Sequence, residues 1–312
     1  MAADGSSDDA AALDALPTEA ARPELADFDE WPTARALEVF VADNDDVTVA
    51  VRRALPQVAA AADEVSERLA AGGRLIYVGA GSGGRLATLD AAEIGPSYGV
   101  RGAVVAVFAG GAQALMDGRE HYEDDAEQGA REVDALVPTT TDVVFGISAS
   151  GRTPFVLGGV SAGRRAGAHT IGFACVAGSP LATGCDQAIE VVTGPEIIAG
   201  STRLKAGSAQ KLVLNAISTL AMIRLGHTYG NLMVGLAVDN GKLRRRAVRA
   251  VTQAADVDER AAEAALDAAD GDVKVALVMA LTGAPVAVAA RALAQAGGRV
   301  RRAAAALAAV AD

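Results

Sequence analysis

The sequence predicts an α/β fold: a doubly wound parallel sheet flanked by helices, with a small all-helical domain at its C-terminal end. Three observations carry that reading. Short apolar runs of strand type alternate with helical stretches between residues 47 and 241. Two of those runs empty into loops of Gly, Ser and Thr. Beyond about Lys242 the text is Ala-rich and helical, and the strand runs stop. Strands alternating with helices at this spacing give a parallel sheet with right-handed crossovers.

In chain order, the opening residues are rich in Ala, Asp and Ser and read as flexible. Trp31 to Asp46 reads as a short helix and an acidic turn, so residues 1–46 form an N-terminal arm. Helical text runs from Val47 to Ala71; Pro56 marks a kink or break in it, and Gly72-Gly73 stops it. Arg74–Val78 is the first strand, emptying into Gly79-Ala-Gly-Ser-Gly-Gly84, with a helix from Arg85 to about Glu93. Ala103–Phe108 is the second strand, followed by helical pattern over Ala112–Leu136. Asp142–Ile147 is the third, opening into Ser148-Ala-Ser-Gly-Arg-Thr153 and a helix to about Ala166. His169–Ala174 and Ala188–Val192 complete the set, and a long helix covers Ser201–Leu225. Residues 47–241 therefore read as the α/β domain. Residues 242–312, broken at Gly271, Gly283 and Gly297-Gly298, read as three or four further helices.

Composition narrows the function. The chain has 312 residues, 51% of them hydrophobic, and a net charge of −11. That length exceeds what one core of about 250–300 residues fills comfortably, which favours a large domain plus a small one. A pI near 4.8 argues against nucleic-acid binding, which wants a basic face. It leaves room for an anionic small ligand held by a few local donors. Cys175 and Cys185 form no CxxC pair, and His121, His169 and His227 show no metal-ligand spacing, so no metal site is expected. There is no basic, apolar leader and no long uncharged apolar run, so the chain reads as soluble and cytoplasmic, with no membrane partner.

The first loop matches the G-x-G-x-x-G dinucleotide pattern, but the mechanism also needs an acid at the end of the second strand to hold a ribose. Phe108-Ala-Gly-Gly-Ala112 supplies none, so no nucleotide cofactor is expected. What remains is a Gly/Ser loop at a helix N-terminus, which offers N–H groups to an anion. The Ser148–Thr153 loop is the stronger feature. An ordinary N-cap uses one hydroxyl; this loop has three, at the carboxyl end of a parallel strand where ligands bind. Hydroxyls with backbone amides can hold a phosphate without lysine. Gly159-Val-Ser-Ala-Gly163 lies inside a helix rather than at a strand-to-helix elbow, so it is no hydrolase nucleophile. Glu93 and Glu123 are acid/base candidates, but position alone does not separate either from a solvated surface acid.

Taken together, these stretches resemble the N-acetylmuramic acid 6-phosphate etherase family, a branch of the sugar isomerase (SIS) domain proteins. The resemblance rests on Gly79-Ala-Gly-Ser-Gly-Gly-Arg-Leu86, Leu89–Glu93, Ser148–Pro154, Gly178–Leu181, Gly194-Pro-Glu196, Gly200–Lys211 and Tyr229–Val234. It runs from about Thr18 to the C-terminus. It implies an SIS-type sheet and a carbon–oxygen lyase of cell-wall amino-sugar recycling. That enzyme would cleave the lactyl ether of N-acetylmuramate 6-phosphate to N-acetylglucosamine 6-phosphate and D-lactate, by elimination and then water addition, with no cofactor. By motif match Glu93 falls on the family's proton donor and Glu123 on its second catalytic glutamate. Gly81, Ser82, Ser148, Ser150, Gly151, Thr153, Ser201 and Lys205 fall on its substrate and phosphate contacts. The resemblance also implies a homodimer with shared sites.

The chain departs from the family pattern near the presumed site. The first loop, usually GAGTSGR, has Ser82 for Thr and Gly83 for Ser, so one hydroxyl of the cradle is absent. ECPPT(F/Y)G becomes Glu93-Ile-Gly-Pro-Ser-Tyr-Gly99, and the N-terminal TExRNP becomes Thr18-Glu-Ala-Ala-Arg-Pro23. SCNPGSP becomes Ala174-Cys-Val-Ala-Gly-Ser-Pro180. Two alternatives stay open on this scaffold: a sugar-phosphate-sensing binding protein, and a lyase or isomerase acting on another amino-sugar phosphate.

Overall fold

The computed structural model describes residues 16–117, 120–236, 238 and 241–311; the first 15 residues of the expected N-terminal arm lie outside them. The chain divides into two compact units. One runs through Ala91 and from Ala103 to Ile217; the other takes Ala92–Gly102 and the chain from Ser218 onward.

In the first unit, two short 3-10 turns (Pro23–Leu25 and Phe28–Glu30) lead into helices α1 (Thr33–Asp43), α2 (Asp45–Arg53) and α3 (Leu55–Ala70). The expected long helix breaks at Ala54. Pro56 then sits in the first turn of α3, where its missing N–H costs nothing. The α/β alternation follows: β1 (Leu75–Gly79), α4 (Gly81–Tyr98), β2 (Val104–Phe108), α5 (Gly111–Asp117), α6 (Ala126–Asp134), β3 (Val143–Ile147), α7 (Pro154–Arg165), β4 (His169–Ala174), α8 (Pro180–Gly184), β5 (Gln187–Glu190) and α9 (Lys205–Arg224). The five expected strands are all present, and they form one parallel sheet in the order β2-β1-β3-β4-β5. The helical text expected over 112–136 resolves into α5, a 3-10 turn at Glu120–Asp124, and α6.

Every residue of β1 and β3 is buried, as a parallel sheet covered on both faces requires. Alternate side chains serve opposite layers. Ile76, Val78 and Val144 pack with Phe155, Val156 and Val160 of α7. On the other face the rings of Tyr77 and Phe145 meet with centroids 5.7 Å apart. The Tyr77 hydroxyl donates to Asp90 Oδ2 of α4 at 2.9 Å, and Asn215 Nδ2 of α9 donates to Asp90 Oδ1 at 2.6 Å. Burial, then the neighbouring Asp90 charge, pushes the Tyr77 phenol well above its usual range, so it stays a donor. One largely buried chain of hydrogen bonds therefore ties β1 to both helices above it.

Asp142 does the same at the other end of the sheet. Its carboxylate accepts from the backbone N–H of Arg74 at 2.7 Å and of Thr139 at 2.9 Å, and from the Arg74 guanidinium at 2.8 Å. This fixes where β1 and β3 begin relative to each other.

The second unit takes the ends of α4 and α9, from Ala92 and Ser218, a hairpin of two-residue strands, β6 (Thr228–Tyr229) and β7 (Leu232–Met233), and five further helices: α10 (Gly241–Ala255), α11 (Glu259–Ala268), α12 (Val273–Thr282), α13 (Val286–Gln295) and α14 (Val300–Ala311). The expected breaks at Gly271, Gly283 and Gly297-Gly298 are all used. An additional one falls at Asp256–Asp258. There Asp256 takes a left-handed φ of 53°, and the Asp258 side chain accepts from the N–H of Ala261 to cap α11. The core of this unit mixes Ala, Val and Leu, with Ala247, Val251, Leu266, Ala276, Leu277 and Ala303 among its buried residues. No single helix among the described residues is long and apolar enough to cross a membrane.

Burial raises the Asp142 pKa, but the Arg74 guanidinium and the N–H groups of Thr139 and Arg74 outweigh it and hold the carboxyl below its ordinary value. A carboxylate with a depressed folded pKa adds stability at neutral pH that is lost as pH falls through that folded value. Asp142→Ala should cost about 2–3 kcal/mol at pH 7 in urea titrations. The gap to the parent should narrow as the buffer is taken below the ordinary carboxylate range.

Candidate active site

β1 lies between β2 and β3, so the chain leaves β1 towards one side of the sheet and returns on the other. At such a reversal the loops after the two neighbouring strands diverge and leave a crevice at their carboxyl ends. Gly79 pairs in register with Ile147, which sets the Gly79–Gly84 and Ser148–Thr153 loops side by side. A cavity of about 530 Å³ opens there.

The first loop enters α4 almost at once, because Gly81 already begins the helix. Gly81 has a φ of +51°, and a Cβ built on it would fall 2.8 Å from Glu123 Oε1. The absent side chain thus lets the Glu123 carboxylate lie against the N-terminal turn of α4. That turn is a favourable place for negative charge. Glu123 comes from the 3-10 turn before α6.

The hydroxyl loop forms the facing wall. Ser148 Oγ lies 2.8 Å from Thr153 Oγ1 and 3.4 Å from Ser150 Oγ. Ser148 Oγ accepts from the Gly151 N–H at 3.0 Å, and Ser150 Oγ from the Arg152 N–H at 3.2 Å. Three hydroxyls therefore converge within one turn before α7. Arg85 lies at the side of the cavity. Its guanidinium donates to the carbonyls of Leu115 and Ala114 and sits 5.4 Å from the Phe108 ring centroid.

Six of the expected residues line this one cavity: Gly81, Ser82, Glu123, Ser148, Ser150 and Thr153. Gly151 is buried behind the hydroxyl loop. Ser201 is half-buried and outside the lining, where its neighbour Thr202 takes part instead. Lys205 is buried and outside the lining too; its ammonium donates to Asp43 at 3.3 Å and to Asp46 at 3.4 Å. Asp43 also pairs with Arg22. Glu93 is exposed, twelve residues after Gly81 on α4, and is not among the lining residues.

The dense polar stretch from Gly194 to Lys211 has a structural explanation in part. Glu196 is 1% exposed, and its carboxylate accepts from the N–H groups of Lys205 at 2.8 Å and Ala206 at 2.9 Å. It caps α9 from outside the helix and so fixes Thr202 and Gln210 against the cavity. Glu19, Asp124, His121 and Gln210 also line the cavity, and sequence pattern assigns a role to none of them. For Gln210 a signal existed. It shares the buried stripe of α9 with Ala206, Ala209 and Val213, and a polar residue on an apolar stripe calls for an explanation. Glu19 had a signal as well, as the Glu of the Thr18–Pro23 stretch, whereas His121 had none.

Among the described residues no group of three or more His, Cys, Asp or Glu side chains could hold a metal ion.

Known proteins and family models resemble this chain in sequence. A model of the glucokinase regulatory protein N-terminal SIS domain matches residues 57–163, and an SIS domain model matches residues 125–220. An N-acetylmuramic acid 6-phosphate etherase from Rubrobacter xylanophilus is 51% identical over 87% of this chain and 90% of its own length. One from Streptomyces coelicolor is 49% identical over 94% of this chain and 95% of its own. The chain belongs to the N-acetylmuramic acid 6-phosphate etherase family. Solved structures similar to part of this etherase-family chain include a phosphoheptose isomerase from Francisella tularensis, at 17% identity and a TM-score of 0.49, over 62% of this chain and all of that one. A phosphoheptose isomerase from Neisseria gonorrhoeae has a TM-score of 0.47 at 19% identity, over 61% of this chain and 97% of that one.

Gly81→Ala tests the contact between the helix start and Glu123. The new Cβ meets a carboxylate oxygen from a backbone conformation that L side chains rarely adopt. The variant should lose about 1–3 kcal/mol in thermal or urea unfolding. Its enzymatic rate should drop by roughly tenfold or more, as a shift of a cavity wall that misplaces bound substrate does.

Proposed function

We propose that this cavity cleaves the lactyl ether of N-acetylmuramate 6-phosphate to N-acetylglucosamine 6-phosphate and D-lactate. Membership of the etherase family makes the chain a carbon–oxygen lyase. The observation that carries the substrate reading is the meeting of a carboxylate, Glu123, with the hydroxyls of Ser148, Ser150 and Thr153 in one cavity.

The chemistry follows from the difficulty of the bond. An ether is a poor electrophile, and direct displacement of lactate is slow. In the open-chain sugar the C1 aldehyde acidifies the C2 proton. A carboxylate removes that proton, the C3–oxygen bond breaks, and its electron pair leaves with the lactate oxygen, which a carboxylic acid protonates. The C2–H electron pair forms the C2=C3 double bond. Water then adds across it, hydroxyl to C3 and proton to C2. One water is consumed and no redox partner is needed. Glu123 fits the C2 proton and the water; Glu93 fits the donor to the leaving oxygen. The three hydroxyls and the start of α4 would hold the phosphate dianion, so an acidic protein needs no basic surface to bind an anion.

Glu93 can serve only if something brings it to a cavity. Leu89, one turn earlier on the same helix, is 49% exposed, and residues four apart share a helix face. Leu212 of α9 is likewise exposed. A second copy packed over Leu89 would cover this apolar surface and deliver Glu93 to its partner's cavity. We therefore read the working form as a homodimer with each site shared, acting in the cytoplasm.

Purified protein incubated with N-acetylmuramate 6-phosphate should release D-lactate, measured by a coupled dehydrogenase assay. Glu123→Ala and Glu93→Ala should each lower the rate by about 10²–10⁴-fold, the usual worth of one positioned proton transfer. Absence of lactate release from a folded sample, alongside tight sugar-phosphate binding, would favour the sensing alternative. Mixing the two inactive variants in equal amounts should restore about a quarter of parent activity if sites are shared across a two-fold dimer. It should restore none if both glutamates act within one copy.

A further inference from the structure

Gln210 is a buried polar group at the cavity that neither the fold nor the proposed chemistry uses. It is 2% exposed, yet its side chain lines the same cavity as Ser82, Ser148, Thr153 and Glu123. Its amide oxygen has no hydrogen-bond partner among the described residues. An unpaired buried polar group is destabilising, and a binding site can recover that loss when the ligand supplies the missing partner. The neighbours limit what that ligand group can be. A Cβ on Gly83 would lie 3.1 Å from Gln210 Nε2, 3.3 Å from its Oε1 and 3.0 Å from Ile147 Cγ2. The amide therefore rests on bare backbone at Gly83, the position where the family's first loop usually carries Ser, and beside an apolar methyl.

We propose that Gln210 reads the 2-acetamido group of the sugar and thereby determines specificity for N-acetylated substrates. This rests on the amino-sugar phosphate reading above. A carboxamide offers one donor end and one acceptor end, which complements the C=O and N–H of a secondary amide. Phosphate oxygens only accept, so they cannot satisfy Oε1. Of the substituents on this substrate, the acetamido group combines a donor, an acceptor and a methyl, and Ile147, also in the lining, gives the methyl an apolar neighbour. The acetamido nitrogen is bonded to C2, the carbon that loses its proton. Holding it would also orient the C2–H bond, so Gln210 acts as a positioning residue as well. Gly83 leaves room: a Cβ there would stand 3.1 Å from Gln210 Nε2, so the amide would have to give by a few tenths of an ångström.

The test compares acetylated and free-amine ligands in the parent, Gln210→Leu and the near-isosteric Gln210→Glu. In lactate release, the parent should favour N-acetylmuramate 6-phosphate over muramate 6-phosphate by about 100-fold or more in kcat/KM, as sites built to pair a buried polar group do. Gln210→Leu should bring that ratio to within about tenfold of unity, chiefly through the acetylated substrate. Competitive inhibition by glucose 6-phosphate, which lacks the acetamido group, should be unchanged and shows that the phosphate cradle survives. Calorimetric binding of N-acetylglucosamine 6-phosphate against glucosamine 6-phosphate gives a readout that does not depend on turnover. If no lactate is released but the parent prefers the acetylated ligand and Gln210→Leu does not, the etherase reading fails and the role of Gln210 stands. Equal loss on both ligands, or an unchanged preference in both folded variants, overturns the proposal.

Discussion

The first unit is organised around the pairing of β1 with β3. Leu75–Gly79 lies beside Val143–Ile147 in unbroken register. Five elements, α4, β2, α5, the 3-10 turn at Glu120–Asp124 and α6, intervene in the chain between the two strands. Because β1 has β2 on its other side, this pairing creates the reversal of strand order at which the cavity opens. Asp142 fixes the start of the two strands, and the Tyr77–Asp90–Asn215 chain fixes the helices above them. Both devices are buried or nearly so, where a hydrogen bond is costly to lose.

The cavity on this frame has Arg85 among its lining residues, beside the acids Glu19, Glu123 and Asp124. The protein carries a net charge of −11, yet the proposed ligand is an anion. Hydroxyls and a helix start face the cavity, while the buried cation nearby, Lys205, is committed to Asp43 and Asp46. The Glu196 carboxylate is taken up in capping α9. Two charged residues of the Gly194–Lys211 stretch, Glu196 and Lys205, thus have partners within the protein.

Much of the fold was legible because its signals are local. Buried parallel strands read as short apolar runs, and helices end at Gly, Asp or Pro for reasons contained within a few residues. The breaks at Gly271 and Gly283 were visible on those grounds. The one at Asp256–Asp258 was not, because an Asp in a left-handed conformation carries no mark as plain as glycine. The hydroxyl loop was equally legible, since three hydroxyls in six residues exceed what a helix cap needs. The acidic partners of Lys205 were not, because Asp43 and Asp46 lie 162 and 159 residues earlier and only the packed chain brings them to it.

Element types, the two loops after β1 and β3, and the residue chemistry available at each are written in the local sequence. They follow from periodicity and from turn and cap preferences, which act over a few residues. Which of those groups meet is settled only in the packed chain. Packing sets Glu123 against Gly81, places Gln210 in the cavity over Gly83, and leaves Glu93 exposed on α4. Strand order and helix packing make those choices, and they depend on contacts between segments far apart in the chain, which no local pattern records.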